Sequence, residues 1–138
     1  MGRLFKTGSA GKDRQLFEKG IVLALHELTR QTGMDENTRD LLAYISLLLN
    51  AISDTIDKSV TAWEKRGYWV KADRYRMEWT WTANMGEALK QAILLEDWGS
   101  AVNIIGQVTQ KLSAVKIAQR NRMGSPWVGS HKKLIDLN

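Results

Sequence analysis

Apolar residues recur at every third or fourth position through about 110 residues of the chain, a spacing typical of amphipathic helices. No stretch alternates apolar and polar residues as a half-buried strand would. The pattern predicts an all-α protein with four helices, over residues 13–31, 37–66 and 68–95 and from Ser100 to Gly124. Glycines at the breaks and a single proline near the end of the chain agree with these limits.

The second and third predicted helices each carry a continuous apolar stripe. The stripe of the second helix consists of Leu41, Leu42, Ile45, Leu48, Leu49, Ile52, Ile56, Val60 and Trp63. The stripe of the third helix consists of Val70, Met77, Trp81, Met85, Ala88, Ala92 and Leu95. Because only Gly67 separates these two helices, they are expected to pack antiparallel, in an up-and-down four-helix bundle over residues 13–124. The residues expected to be buried together are Leu49, Ile52, Ile56, Trp63, Trp81, Met85, Ile105 and Leu112.

The two ends of the chain lie outside the predicted bundle. Residues 1–12 and 125–138 are basic and lack a sustained helical stripe, so we expect a flexible N-terminal arm and a flexible C-terminal tail. No segment resembles a secretion signal, and no stretch approaches the roughly 18 apolar residues that would span a bilayer. The chain has no cysteine, which fits a reducing compartment. A cytoplasmic protein without membrane contact is therefore expected.

A second apolar strip runs off the main stripes of the two longest helices. It consists of Tyr44, Leu47, Tyr75 and Trp79. Two residues along a helix rotate a side chain by about 200°, so Trp79 lies opposite the stripe that contains Trp81. Since a bundle helix needs one apolar stripe, the surplus has two interpretations. The four residues contact another subunit, as in a homo-oligomer or a complex with a protein partner, or they pack against another part of the same chain.

Six aromatic residues crowd into nineteen positions around the break between the second and third helices: Trp63, Tyr68, Trp69, Tyr75, Trp79 and Trp81. Basic residues lie among them: Lys65, Arg66, Lys71, Arg74 and Arg76. Aromatic rings among basic side chains are typical of surfaces that bind single-stranded nucleic acid. The alternative is a bundle core surrounded by ordinary solvated charges, which the neighbouring Asp73 and Glu78 favour.

The net charge of +5 comes from the end of the chain. Residues 98–138 hold six of the twenty Lys and Arg but one of the fifteen Asp and Glu, whereas the first 97 residues are balanced. Such an asymmetry attracts a polyanion or an acidic partner. The candidate nucleic-acid contacts are Arg74, Arg76, Arg120, Arg122, Trp127, Lys132 and Lys133. A disordered tail without such a role is the other interpretation of the C-terminal segment.

Few residues could carry catalysis. The chain has no Glu-x-x-His motif, no Gly-rich phosphate loop and no cysteine nucleophile. His26 lies off the apolar face of the first helix, and His131 lies beside two lysines. Asp54 and Asp57 have the spacing of a helical magnesium motif, but both point about 150° away from the apolar stripe, toward solvent. The sequence therefore predicts no catalytic residue, no metal site and no cofactor.

Three functional hypotheses follow, in this order. The first is a non-enzymatic helical assembly or protein-interaction module that self-associates. The second is a small nucleic-acid-binding accessory subunit that uses the basic C-terminal segment. The third is a metal-dependent bundle hydrolase. Because helical bundles carry unrelated activities, only the surfaces and sites of the folded chain can decide among them.

Overall fold

The computed structural model describes residues 9–116 and 124–138, and their regular structure is entirely α-helical, as predicted. The helices are α1 Ala10–Leu28, α2 Glu36–Lys65, α3 Trp69–Leu94, α4 Trp98–Lys111 and α5 Ser130–Asp136. α1 starts three residues before its predicted start because the Ser9 hydroxyl accepts a hydrogen bond from the Lys12 N–H at 3.1 Å and caps the helix. The rest of the predicted N-terminal arm lies outside the described residues.

α2 and α3 form an antiparallel helical hairpin with nearly the predicted limits. The Asp35 carboxylate caps α2 by accepting a hydrogen bond from the Thr38 N–H at 2.9 Å. At the other end, Gly67 has φ +83°, a left-handed conformation that glycine adopts at little cost. The Tyr68 N–H then donates to the Trp63 carbonyl at 2.9 Å, which reverses the chain within a few residues.

α2 is the central helix, because α1, α3 and α5 all pack along it. Its fully buried stripe includes Leu41, Ile45, Leu48, Leu49 and Ile52. α4 packs against α3 and touches α1, and α5 is a helix that the sequence did not predict. Of the eight residues predicted to be buried together, four are buried: Leu49, Ile52, Ile56 and Leu112. The other four are half-buried against the core: Trp63, Trp81, Met85 and Ile105.

The predicted apolar stripe of α3 is right only in part. Ala92 is buried and Trp81 and Met85 are half-buried against the core, but Val70, Met77 and Leu95 are 67%, 78% and 75% exposed. Besides Ala92, the face toward the core consists of Ala72, Tyr75, Trp79, Thr82, Gly86, Leu89 and Ile93, which alternate at spacings of three and four residues. The second strip of α3, set apart in the sequence, therefore belongs to the true packing face.

Close contact between α2 and α3 explains this choice of face. A Cβ at Gly86 would lie 2.6 Å from Asn50 Oδ1 and 3.1 Å from Leu49 Cβ, so the position accepts only glycine without rearrangement. The Ser46 hydroxyl donates to the Gly86 carbonyl at 3.0 Å across the same contact. Small residues let the two backbones approach, whereas a hydrophobic pattern gives weight to large residues. The predicted stripe counted apolar residues only, so it passed over Thr82 and Gly86, which lie on the packing face.

α4 starts earlier and ends sooner than the predicted fourth helix. Asp97 caps it in place of Ser100, whose N–H donates to Asp97 Oδ1 at 3.2 Å. The helix ends at Lys111, and the chain then tightens into i→i+3 turns such as the 3.0 Å bond from the Val115 N–H to the Leu112 carbonyl. The side chains of Leu112 and Val115 both pack on the core. Their three-residue spacing is also that of a helix, so the sequence pattern predicted a longer helix than the structure has.

The prediction of a flexible tail over residues 125–138 is wrong, because α5 in this segment packs against α2. Trp127 and Leu134 are 5% and 1% exposed. The Trp127 indole Nε1 donates to Asn37 Oδ1 at 2.9 Å, which satisfies the one polar group of this buried ring. Apolar burial and this hydrogen bond together hold the segment in place.

A carboxylate from α2 caps the start of α5. Asp40, which is 6% exposed, accepts hydrogen bonds from the backbone N–H of Gly129 at 3.1 Å and of His131 at 2.9 Å. These N–H groups have no partner within a helix, so a buried acceptor stabilises them. His131 Nδ1 also lies 3.3 Å from Glu36 Oε2. The capping residue comes about 90 positions earlier in the chain, so reasoning on the tail alone could not find it.

Candidate interaction surface at the α2–α3 turn

Four large apolar side chains are exposed between the residue before α3 and the third turn of that helix. Tyr68, Trp69, Val70 and Met77 are 54%, 61%, 67% and 78% exposed. We call these four residues the tip surface. Scattered exposed apolar residues are ordinary, but a group that includes a tryptophan and a tyrosine is typical of protein-binding surfaces.

A groove between α2 and α3 adjoins the tip surface. It has a volume of about 390 Å³ and is lined by Trp63, Val70, Lys71, Arg74, Tyr75 and Glu78. We call it the α2–α3 groove. Its floor is an edge-to-face pair of Trp63 and Tyr75, with ring centroids 4.9 Å apart, and Lys71 Nζ lies 4.4 Å from the Trp63 ring centroid. The groove therefore has an aromatic floor and a rim that carries both signs of charge.

Arg76, a predicted nucleic-acid contact, is already engaged by carboxylates. Its guanidinium donates to Glu64 Oε2 at 2.8 Å and to Asp73 Oδ1 at 2.5 Å. These hydrogen bonds, that to Glu64 first, raise the pKa of Arg76. Arg74 is exposed and forms no ion pair within residues 9–116 and 124–138. Of the two candidate arginines on α3, Arg74 is therefore the one without a carboxylate partner in the described ranges.

The strip predicted as a subunit interface is largely covered by α1 of the same chain. Tyr44 is 4% exposed, and a Cβ at Gly20 of α1 would lie 3.0 Å from its hydroxyl. Leu47, Tyr75 and Trp79 are half-buried against the core. The tight helix crossing at Gly20 accounts for the burial of Tyr44. Packing within the chain, one of the two interpretations of this strip, explains its apolar residues without a second subunit.

Arg14 of α1 covers the α3 part of this strip. Its guanidinium carbon lies 5.0 Å from the Trp79 ring centroid, and its Nη1 donates to the Tyr75 hydroxyl. Its Nε donates to Glu18 Oε2 at 3.0 Å, so the cation is paired as well as stacked. Desolvation lowers the pKa of Arg14, but hydrogen bonds to Tyr75 and Glu18 outweigh it, and the net shift is upward. The arginine is thus a charged part of the packing between α1 and α3.

The other candidate nucleic-acid contacts do not form one surface with Arg74. Trp127 is buried, so its ring is not available as the predicted nucleic-acid contact. Lys132 and Lys133 are exposed on α5, which Asp40 holds near the start of α2. Arg74 lies beside the end of α2, roughly 36 Å away at 1.5 Å per helical residue. Arg120 and Arg122 lie outside the described residues.

Carboxylates and histidines do not assemble into a metal site in the described part of the chain. No group of three or more His, Asp or Glu residues there could hold an ion. Asp54 and Asp57 are exposed, and desolvation followed by the charge of Asp57 raises the pKa of Asp54. His26 is exposed as well.

The aromatic part of the tip surface was visible in the sequence, but its apolar part was not. Tyr68 and Trp69 belong to the aromatic cluster that indicated a possible binding surface. Val70 and Met77 were assigned to the core because they have bundle spacing. The signal that could have corrected this was the small residue Gly86, which marks the closest helix contact on the opposite side of α3.

None of the five helices, in the residues that the structure describes, is long and apolar enough to cross a membrane. Comparison of the chain with protein-family models, with curated proteins and with solved structures found no match. The surfaces of this molecule are therefore the basis on which its function can be inferred.

Proposed function

We propose that this protein is a non-enzymatic helical assembly module that binds another protein through the tip surface. The observation that carries the proposal is the joint exposure of Tyr68, Trp69, Val70 and Met77, each more than half exposed, at one end of a helical hairpin. Burying such side chains against a partner would stabilise a complex by roughly 25 cal/mol for each Å² of apolar surface removed from water. Tryptophan and tyrosine are also the residues that most often dominate binding energy at protein interfaces.

The charges around the tip surface favour a protein partner over a nucleic acid. Glu64 and Asp73 neutralise Arg76, and Glu78 lies on the rim of the α2–α3 groove. A protein surface can present both signs of charge to this mixture, whereas a phosphate backbone carries only negative charge. Met77 also has an apolar, flexible side chain that suits a protein interface.

The mass of the native complex tests the proposal. The full chain, isolated gently from its source cell, is expected in a complex heavier than the 15.6 kDa of one chain. Met77→Asp is expected to release it, because the substitution places a charge within the interface. Val128→Asp is the matched control, since Val128 is 68% exposed but lies in the segment before α5. A native mass of one chain, or equal loss of the complex in both variants, would contradict the proposal.

A nucleic-acid-binding accessory subunit remains the second candidate function. It is favoured by the exposed Lys65 and Arg66, which end α2 directly before Tyr68 and Trp69. Binding of this kind should weaken as salt rises, because bound phosphates release counterions. If the full chain shows no salt-sensitive binding to single- or double-stranded RNA or DNA at micromolar concentration, this candidate is rejected.

A further inference from the structure

α3 carries one apolar face of which α4 covers only a part. Lys111, the last residue of α4, places its Nζ 5.9 Å from the Trp81 ring centroid, so α4 ends at the level of Trp81. Trp81 and Met85 are half-buried against the core there. One turn further toward the start of α3, Met77 is 78% exposed, and Val70 beyond it is 67% exposed. The uncovered part of this face borders the α2–α3 groove.

The spacing of the uncovered face is that of a coiled-coil seam. Val70, Arg74, Met77 and Trp81 follow one another at four, three and four residues. Residues with this alternation lie on one side of a helix and pack into a facing helix. A single helix laid along α3 would therefore cover Val70 and Met77 together. We therefore expect the partner that binds this face to be a helix.

The charges beside the seam distinguish the possible helices. Lys71 and Glu78 lie one heptad apart on the same edge, and both line the α2–α3 groove. Neither forms an ion pair within residues 9–116 and 124–138. A second copy of α3 packed parallel would place like charges together. An antiparallel copy, with facing residue numbers that add to about 149, would place each Lys71 opposite the Glu78 of the second copy.

The same antiparallel register also pairs the apolar residues. It places Val70 of each chain between Met77 and Trp81 of the second copy, and it places position 74 beside the two-fold axis. An interface of this kind is self-complementary, since each contact occurs twice. The register also brings the two Arg74 side chains close together, so the two Lys71–Glu78 ion pairs must outweigh this one contact between like charges.

We infer that the helix which covers Val70 and Met77 of the tip surface is α3 of a second copy of this chain, packed antiparallel with two reciprocal Lys71–Glu78 ion pairs. The inference rests on the proposed function, because it identifies the partner of the same surface. It goes further in naming the partner, the direction of the two helices and their register.

Cysteine cross-linking tests the direction and the register. The chain has no cysteine, so a single substitution gives one reporter thiol per chain. Arg74→Cys is expected to form a reducible dimer under mild oxidation, because the two thiols lie beside the two-fold axis. Ala88→Cys, also exposed, is expected to form none, because its copies would lie roughly 40 Å apart along the helices. Cross-linking of both variants would indicate a parallel dimer, and cross-linking of neither would exclude the α3 pairing; either result overturns the inference.

Charge exchange tests the ion pairs. In sedimentation equilibrium, Lys71→Glu and Glu78→Lys are each expected to raise the dimer dissociation constant about tenfold, because each places like charges together twice. The double variant Lys71→Glu with Glu78→Lys is expected to return to within about threefold of the unaltered chain. Failure of the double variant to recover overturns the inference. Circular dichroism of all three variants should show unchanged helix content.

The two proposals fail in different ways. A purified chain that stays monomeric, but whose native complex is lost on Met77→Asp, overturns the second-copy inference and leaves the proposed function standing. A native mass of one chain overturns both.

Discussion

The tryptophans near the two ends of α2 differ in how far their side chains are exposed to solvent. Near its start, Trp127 is 5% exposed and its indole N–H donates to Asn37. Beyond its end, Trp69 is 61% exposed at the first turn of α3. The first tryptophan contributes its apolar surface to the fold of this chain, whereas the second keeps its surface in water. Aliphatic side chains are exposed near both ends, since Val128 and Leu137 are 68% and 66% exposed, but among the described residues the exposed large aromatic ones, Tyr68 and Trp69, lie beyond the end of α2.

Polar groups show the same difference. At the start of α2, which we call the closed end, the buried Asp40 accepts two backbone hydrogen bonds from the start of α5. Beyond the end of α2 lies the first part of α3, which we call the open end. There, Arg74 and Glu78 are exposed and form no ion pair within the described ranges 9–116 and 124–138. Asp40 therefore contributes to the stability of the fold, whereas Arg74 and Glu78 are available to a partner.

The matched tryptophans give the largest expected contrast. Trp127→Ala should lower the free energy of unfolding by about 3–5 kcal/mol, because it leaves a cavity between α5 and α2. Trp69→Ala should change it by less than about 0.5 kcal/mol, since the side chain is mostly in water, but it should weaken association. Chemical denaturation of both variants measures the difference. Similar losses of stability would contradict the division into a closed and an open end.

Asp40→Ala tests the polar part of the closed end. Two N–H groups at the start of α5 would lose their acceptor, and the free energy of unfolding should fall by about 2–3 kcal/mol. Hydrogen exchange should show faster exchange at Gly129 and His131 than at residues within α2. Unchanged protection of both N–H groups would show that Asp40 does not hold α5.

The glycines test where the helices pack tightly. Gly86→Ala should destabilise the fold by about 1–3 kcal/mol, because the new Cβ would lie 2.6 Å from Asn50 Oδ1 and 3.1 Å from Leu49 Cβ. Gly106→Ala is the matched control, since it lies within α4 and a Cβ there meets nothing within 4 Å. It should stabilise the protein by about 0.5–1 kcal/mol through helix propensity. If both substitutions stabilise, the α3 packing face has been assigned wrongly.

The smallest effect concerns Tyr44, whose burial raises its pKa to about 12. Because the folded pKa lies above the unfolded value of 10.0, the unfolded chain loses this proton first, and stability falls as the pH rises from 10 to 12. The slope should be about 1.4 kcal/mol per pH unit. Tyr44→Phe should remove this slope, and it should cost little at pH 7 because the hydroxyl has no hydrogen-bond partner. Denaturation at pH 8 and pH 11 compares the two chains.

Local sequence patterns predicted the limits of α2 and α3 well, but they predicted less well which helix faces are packed and which segments dock. The predicted limits of α2 and α3 differ from the observed ones by one residue at each end, because caps and the Gly67 turn are encoded nearby in the sequence. The packing face of α3 depends on how closely α2 approaches at Gly86, which local periodicity does not contain. Likewise, α5 depends on Asp40 about 90 residues away.

The candidate site was predicted in part for the same reason. The aromatic cluster around Tyr68 and Trp69 was evident from composition, but whether each ring is buried or exposed depends on tertiary packing. Tyr75 and Trp79 face α1 and the core, whereas Trp69 does not. A sequence can therefore indicate an aromatic surface before it can say which rings form it.

The most direct test of the open end as a binding surface is the native mass of the unaltered chain compared with that of Met77→Asp. The structure predicts a complex heavier than one chain of 15.6 kDa for the unaltered protein and a single chain for the variant, with Val128→Asp retaining the complex. If the unaltered chain is monomeric in its source cell, with Met77 and Trp69 remaining in water, the open end is not a binding surface.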